Sequence, residues 1–73
     1  MRNLLMKSKR YGDVLEMIYI AKDGQISKRY IKVIQIGEVS FRAYCYTRMS
    51  KRTFTLNNVL ALVPVTIKER DII

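Results

Sequence analysis

Arginines and tyrosines are the residues of this chain best suited to chemistry. The segment "AYCYTRMSKRTFTL", residues 43–56, contains Tyr44, Tyr46 and Arg52, and Arg42 directly precedes it. Guanidinium groups can hold phosphates, and tyrosine rings can stack bases. This combination predicts a surface for single-stranded nucleic acid or a similar anion. The alternative is that Tyr44 and Tyr46 only pack under an N-terminal helix.

Enzymatic chemistry has little support in the sequence. The chain has no histidine and one cysteine, Cys45, so a zinc site of the usual kind and an intramolecular disulfide are excluded. Glu16 and Glu38 are isolated in sequence, and Asp13 and Asp23 lie beside glycines, where turn roles are typical. Cys45 is interpreted as a small apolar filler. We expect a protein that is not an enzyme and has no cofactor and no metal.

The net charge favours an anionic partner. The chain has fourteen Lys and Arg residues and six Asp and Glu residues, which gives a formal charge of +8 over 73 residues. This excess favours nucleic acid, nucleotides, an acidic protein or phospholipid headgroups, although charge that only keeps a domain dispersed is the alternative. The apolar runs are short and "MRNLLMKSKR" lacks the pattern of a signal peptide. We therefore expect a cytoplasmic protein without a membrane partner.

The apolar pattern has a period of two, which predicts strands. The predicted strands cover residues 14–21, 26–36, 39–46, 52–57 and 59–67. Asp23-Gly24 and Gly37-Glu38 mark turns, and Pro64 suits an edge strand because it cannot donate to a ladder. A single helical turn could lie within residues 57–62.

A helix is predicted over residues 2–10, with Gly12 as its end. The chain is too short for a second core, so one domain is expected: an N-terminal helix at 1–12, a small antiparallel barrel or highly curved sheet at 13–67, and a tail at 68–73.

Strand alternation assigns the central side chains to two faces. Val39, Phe41, Ala43 and Cys45 share an apolar face, while Ser40, Arg42, Tyr44 and Tyr46 share the other. On the next strand Arg52 lies on the same face as Phe54 and Leu56, where it needs an anionic partner or exposure. The residues expected among the most buried are Ile18, Ile31, Phe41, Phe54 and Leu56.

Two segments, in their order and spacing, resemble the WYL domain, a small Sm-like β-barrel found in bacterial transcription regulators and in proteins associated with phage defence. In "IYIAKDGQISKRYI" the matching positions are Tyr19, Gly24, Arg29 and Ile31. In "AYCYTRMSKRTFTL" they are Ala43, Tyr44, Cys45, Arg52, Phe54 and Leu56. The preceding helix and the apolar "NNVLAL" also fit, so the resemblance extends over about residues 4–65.

The resemblance implies a Sm-like (Src-homology-3-type) antiparallel barrel and a regulatory role. WYL domains are taken to bind a negatively charged ligand, either nucleotide-like or single-stranded nucleic acid, and to pass that state to an attached DNA-binding domain. The tripeptide that names the family falls on Val39, Ser40 and Phe41, which leaves Arg29, Tyr44 and Arg52 as the transferable positions.

Together, the residues and the resemblance predict a binding module for an anionic ligand. The candidate site residues are Arg29, Arg42, Tyr44, Tyr46 and Arg52. The alternative is a protein-interaction subunit that pairs with an acidic partner or a larger regulator. For assembly we expect either a homodimer or pairing with a larger regulator, because the apolar, β-prone "VPVTIK" would leave an unpaired strand edge.

Overall fold

One helix and five strands make up most of the described residues, 2–65, in this computed structural model. In chain order they are α1 (Arg2–Tyr11), β1 (Leu15–Ile20), β2 (Ile26–Ile36), β3 (Ser40–Cys45), β4 (Ser50–Thr55) and β5 (Val59–Pro64), with a short 3-10 turn at Leu56–Asn58 before β5. The predicted tail at 68–73 and the end of the predicted barrel range lie outside the described residues. No helix within residues 2–65 is long and apolar enough to cross a membrane.

The strands form a single antiparallel sheet in the order β4-β3-β2-β1-β5. The mainly β fold class with an N-terminal helix is therefore confirmed. A closed barrel is not, because among the strands of residues 2–65 β4 pairs only with β3 and β5 pairs only with β1, which leaves two edges in this part of the chain. At the β4 edge the Thr55 N–H donates to the Tyr19 hydroxyl at 2.9 Å, so a side chain takes a donor that a further strand would use.

Glycines fix the ends of the first two elements as the sequence predicts. Gly12 has φ +77° and its N–H donates to the Ser8 carbonyl at 2.8 Å, which ends α1. Gly24 has φ +90° in the β1–β2 turn, where the Asp23 carboxylate accepts the Gln25 N–H at 3.0 Å. A residue with a Cβ would be strained at either glycine.

The core lies on one face of the sheet, called here the inner face. It is formed by Leu5 of α1 and by Leu15, Met17, Ile31, Val33, Phe41, Ala43, Cys45 and Phe54. The predicted burial of Ile31, Phe41 and Phe54 is confirmed. The prediction is wrong for Ile18, which is only half-buried because Met17 takes the inward position of β1, and for Leu56, which is half-buried in the 3-10 turn.

Ser8 fixes α1 against the inner face. This fully buried hydroxyl donates to the Asp13 carbonyl at 2.6 Å and accepts the Val33 N–H at 2.9 Å. Val33 lies where a bulge interrupts the β2–β3 ladder, so the helix satisfies a donor at an irregular point of the strand. With α1 on the inner face, the opposite face, called here the outer face, carries no helix from residues 2–65.

Candidate functional site

The sheet separates the predicted site residues into two groups. Arg52 is paired in register with the buried Ala43, which places it on the inner face, and Arg29 belongs to the same face of β2 as the buried Ile31. Arg42 and Tyr44 alternate with the buried residues of β3 and belong to the outer face. Tyr46, one residue beyond β3, continues this alternation beside Tyr30, whose carbonyl accepts its N–H at 2.8 Å. One small ligand therefore cannot contact all of these side chains.

Arg29 lies half-buried at the inner face, and no carboxylate within residues 2–65 forms an ion pair with it. Its Nε donates to the Ser27 hydroxyl at 3.2 Å, and its Nη1 lies 3.7 Å from the Cys45 sulfur, a weak acceptor. Within residues 2–65 the single ion pair joins Lys28 and Glu16, so no described carboxylate balances the Arg29 charge. This leaves a partly desolvated cation with unused donors.

The curl of the sheet places an aromatic ring beside that cation. Phe54 of β4 reaches Tyr19 of β1, with ring centroids 5.1 Å apart in an edge-to-face arrangement, and also packs on Phe41 at 5.6 Å. The Arg29 guanidinium carbon lies 5.8 Å from the Phe54 centroid, within the range of a cation–π contact. Phe54 thus supports both the core and the orientation of Arg29.

Arg52 adds a second cation to the same face. It is exposed, and it lies two residues before Phe54 on β4, about 6.8 Å along the strand at the usual rise per residue. No ion pair within the described residues uses its guanidinium. Arg29 and Arg52, called here the arginine pair, can offer planar donor forks to a phosphate or carboxylate.

The outer face carries a tyrosine cluster made of Tyr30, Tyr44 and Tyr46. The rings of Tyr44 and Tyr46 are 4.9 Å apart and meet edge to face. Tyr30 and Tyr46 are 39% and 43% exposed, and with Val14 and Val65 they line an open apolar groove of about 360 Å³. The alternative that Tyr44 and Tyr46 only pack under the N-terminal helix is wrong, because α1 packs on the opposite face.

Tyr30 is not among the site residues predicted from the sequence, although its position in an alternating pattern resembles theirs. Lys28, Tyr30 and Lys32 alternate along β2 in the same way as Arg42 and Tyr44 along β3 and Tyr46 just beyond its end. The pairing of β2 with β3 then places these two rows of outer-face side chains side by side. The sequence pattern predicts each row separately but does not show that the two rows are neighbours in the sheet.

Cations flank the tyrosine cluster. Tyr44 is paired in register with Lys32 on β2 and with Lys51 on β4. Lys28 and Glu16 also belong to the outer face, where they form an ion pair at 3.1 Å. The hydrogen bond and charge of Glu16 raise the pKa of Lys28 above its ordinary value of 10.5, so this carboxylate is already engaged by a cation.

At one end of the outer face, Arg42 borders a shallow pocket of about 300 Å³ together with Gln35 and Thr53. These residues are neighbours in register across β2, β3 and β4. The lining of this pocket mixes polar and apolar surface, whereas the groove beside Tyr30 is almost entirely apolar, so cationic and aromatic regions occupy different parts of the same face.

Comparisons with known proteins support the fold alone. No family model matches the sequence, and no curated protein matches it significantly. Among solved structures, the chain is similar to Proteasome accessory factor B/C (PafBC) of Arthrobacter aurescens, with a TM-score of 0.80 and 21% sequence identity. The match covers 90% of this chain and 11% of that one. The chain therefore has the fold of a small part of that protein.

Proposed function

We propose that this chain is a regulatory module that binds a phosphate-bearing ligand, either a nucleotide or single-stranded nucleic acid, at the arginine pair. The observation that carries the proposal is the half-buried Arg29, whose charge has no carboxylate partner within residues 2–65. Partial burial of a charge that has no carboxylate partner costs free energy, and an arginine side chain cannot avoid that cost by losing its proton. An anionic ligand relieves it by supplying the missing partner.

The contacts of Arg29 leave donors available for such a ligand. A neutral hydroxyl and a sulfur occupy part of the guanidinium, and Phe54 restrains its plane. The remaining N–H groups form a preorganised fork, so less side-chain entropy is lost on binding. Arg52 then contributes a second charge from β4.

The regulatory part of the proposal rests on likeness. The WYL-like positions Arg29, Tyr44 and Arg52 support a module that passes a ligand-bound state to an attached domain. The fold shared with part of PafBC supports a regulatory module in general.

A fluorescence-anisotropy panel tests the proposal. Single-stranded DNA, RNA, duplex DNA and nucleotides are titrated at two salt concentrations, with Arg29→Gln and the matched control Arg10→Gln, which removes an exposed charge from α1. We expect at least one phosphate-bearing ligand to bind, with affinity that falls with salt and that Arg29→Gln weakens whereas Arg10→Gln does not. Absence of binding at low salt, or equal losses in both variants, would contradict the proposal.

One observation favours a protein-interaction function as the second candidate. β5 is an edge strand whose sequence, "VLALVP", has no charged side chain, whereas the other edge, β4, carries Lys51 and Arg52. An uncharged apolar edge is suited to pairing with another strand, either from a second copy or from a larger protein.

A further inference from the structure

We propose that the tyrosine cluster on the outer face is a stacking surface for single-stranded nucleic acid. This site is distinct from the arginine pair, which lies on the inner face, and it does not depend on that pair binding anything. The bases would stack on Tyr30, Tyr44 and Tyr46, and the phosphates would follow the neighbouring cations.

The exposure of the cluster is the first support. The Tyr44–Tyr46 pair holds two rings at a defined angle of 74° near the end of β3, where Tyr44 is half-buried and Tyr46 is exposed. Tyr30 and Tyr46 remain substantially exposed although both line an apolar groove. Clustered exposed rings are typical of a binding surface, whereas single exposed apolar residues are not.

The distribution of charge is the second support, and it favours a polyanion. Lys32 and Lys51 flank Tyr44 from the two adjacent strands, and Arg42 lies two residues before it on β3. The neighbouring carboxylate, Glu16, is paired with Lys28. The surface around Tyr44 therefore combines an aromatic platform with cations on both sides.

The geometry favours a single strand over a duplex or a free nucleotide. Tyr44 near the end of β3 and Tyr46 one residue beyond it hold their ring centroids 4.9 Å apart, so the two rings can contact neighbouring groups of an extended chain. In a duplex the base faces are stacked on each other and cannot reach the rings. A mononucleotide can engage only one ring and few cations, so its affinity should be lower.

The test uses anisotropy with labelled single strands of about 12 nucleotides, a length within the site sizes of comparable platforms. Oligo-dT and oligo-U are compared with a duplex and with mononucleotides, which separates DNA, RNA and free phosphate as sources of the binding. Tyr46→Ala is the test variant and Tyr46→Phe retains the ring. Tyr11→Ala is the matched control, because Tyr11 is 68% exposed at the end of α1.

We expect Tyr46→Ala to weaken single-strand binding by about 5- to 150-fold, the range that stacking of one base accounts for. Tyr46→Phe and Tyr11→Ala should bind as the wild type does, and the duplex should bind more weakly. Thermal melts monitored by circular dichroism establish that Tyr46→Ala is folded. Tyr44→Ala is a second test variant for the same loss of single-strand binding.

Two results would overturn the inference. One is equal single-strand affinity for Tyr46→Ala and the wild type, and the other is duplex binding as tight as single-strand binding. Arg29→Gln in the same assay separates this site from the arginine pair. A loss in Arg29→Gln without a loss in Tyr46→Ala supports the arginine pair and overturns the stacking surface, whereas the reverse pattern supports the stacking surface alone.

Discussion

At the residue scale, Phe54 connects stability to the candidate site. Its ring is 3% exposed and contacts Tyr19 and Phe41, while Arg29 lies against the same ring. The strand alternation of the sequence is sufficient to place Phe54 inside and Arg52 on the same face. It cannot show that Arg29, from a strand not paired with β4, reaches Phe54, because that contact depends on the curl of the sheet.

Truncation of Phe54 should therefore unfold much of the population. Phe54→Ala removes a buried ring and leaves a cavity, with an expected loss of roughly 3–5 kcal/mol in the free energy of unfolding. Denaturant titration followed by circular dichroism measures this loss. Thr53→Ala, an exposed neighbour, is the control and should change stability by less than about 0.5 kcal/mol. A loss below about 1 kcal/mol for Phe54→Ala would refute this account of the core.

Residues with apolar neighbours on both sides are harder to assign from sequence. In "LEMIYI" of β1, Met17 and Ile18 are both suited to a core. Pairing decides the matter: Met17 faces inward beside Arg29 and Leu62, and Ile18 faces outward beside Lys28 and Ala61. Local period-two patterns cannot resolve this choice, because it depends on neighbours that are distant in sequence.

At the element scale, the strands follow from composition and turn chemistry, but their irregularities do not. β2 was predicted with the bounds that it has, Ile26–Ile36, and the Asp23-Gly24 turn is confirmed. The bulge between Val33 and Gln35 was not predicted. It involves a hydroxyl from α1, Ser8, so no pattern within β2 could indicate it.

The edge strand β5 leads to a prediction about assembly. Pro64 lies in this edge strand, as its missing N–H predicts, and the strand offers unpaired backbone groups and exposed Leu60 and Val63. We expect concentration-dependent self-association of the wild type, seen by sedimentation, that Leu60→Lys abolishes because it adds charge to both partners at a symmetric edge.

The control for this experiment is Ile26→Lys, which adds the same charge at a residue that is 62% exposed on β2 and is not on an edge strand. It should self-associate as the wild type does. A wild type that stays monomeric at millimolar concentration would contradict pairing between two copies of β5.

At the scale of the whole molecule, the sheet curls without closing. The curl brings Tyr19 into contact with Phe54 and Thr55, far along the chain, and so forms the inner-face surroundings of Arg29. The mainly β fold could be predicted from turn spacing and composition. The open edges could not be predicted, because closure depends on whether β4 and β5 pair with each other. The sequence pattern of a strand does not identify the strands with which it pairs.

Net charge is also a property of the whole molecule, and it is the simplest rival to a specific site. With a formal charge of +8, any anion could be attracted without a particular arginine being involved. Arg→Lys substitutions separate the two explanations, because lysine keeps the charge and loses the planar fork of donors.

The measurement that tests the account most directly is therefore a titration of the wild type, Arg52→Lys and Arg48→Lys with the best ligand from the anisotropy panel. Arg52 belongs to the arginine pair, and Arg48 is an exposed residue of the β3–β4 turn. We predict that Arg52→Lys binds about tenfold or more weakly, since one charge-assisted hydrogen bond contributes roughly 1.5–3 kcal/mol. Arg48→Lys should bind as the wild type does, and all three proteins should be equally stable. Equal affinities for Arg52→Lys and the wild type would contradict the assignment of Arg52 to an anion site.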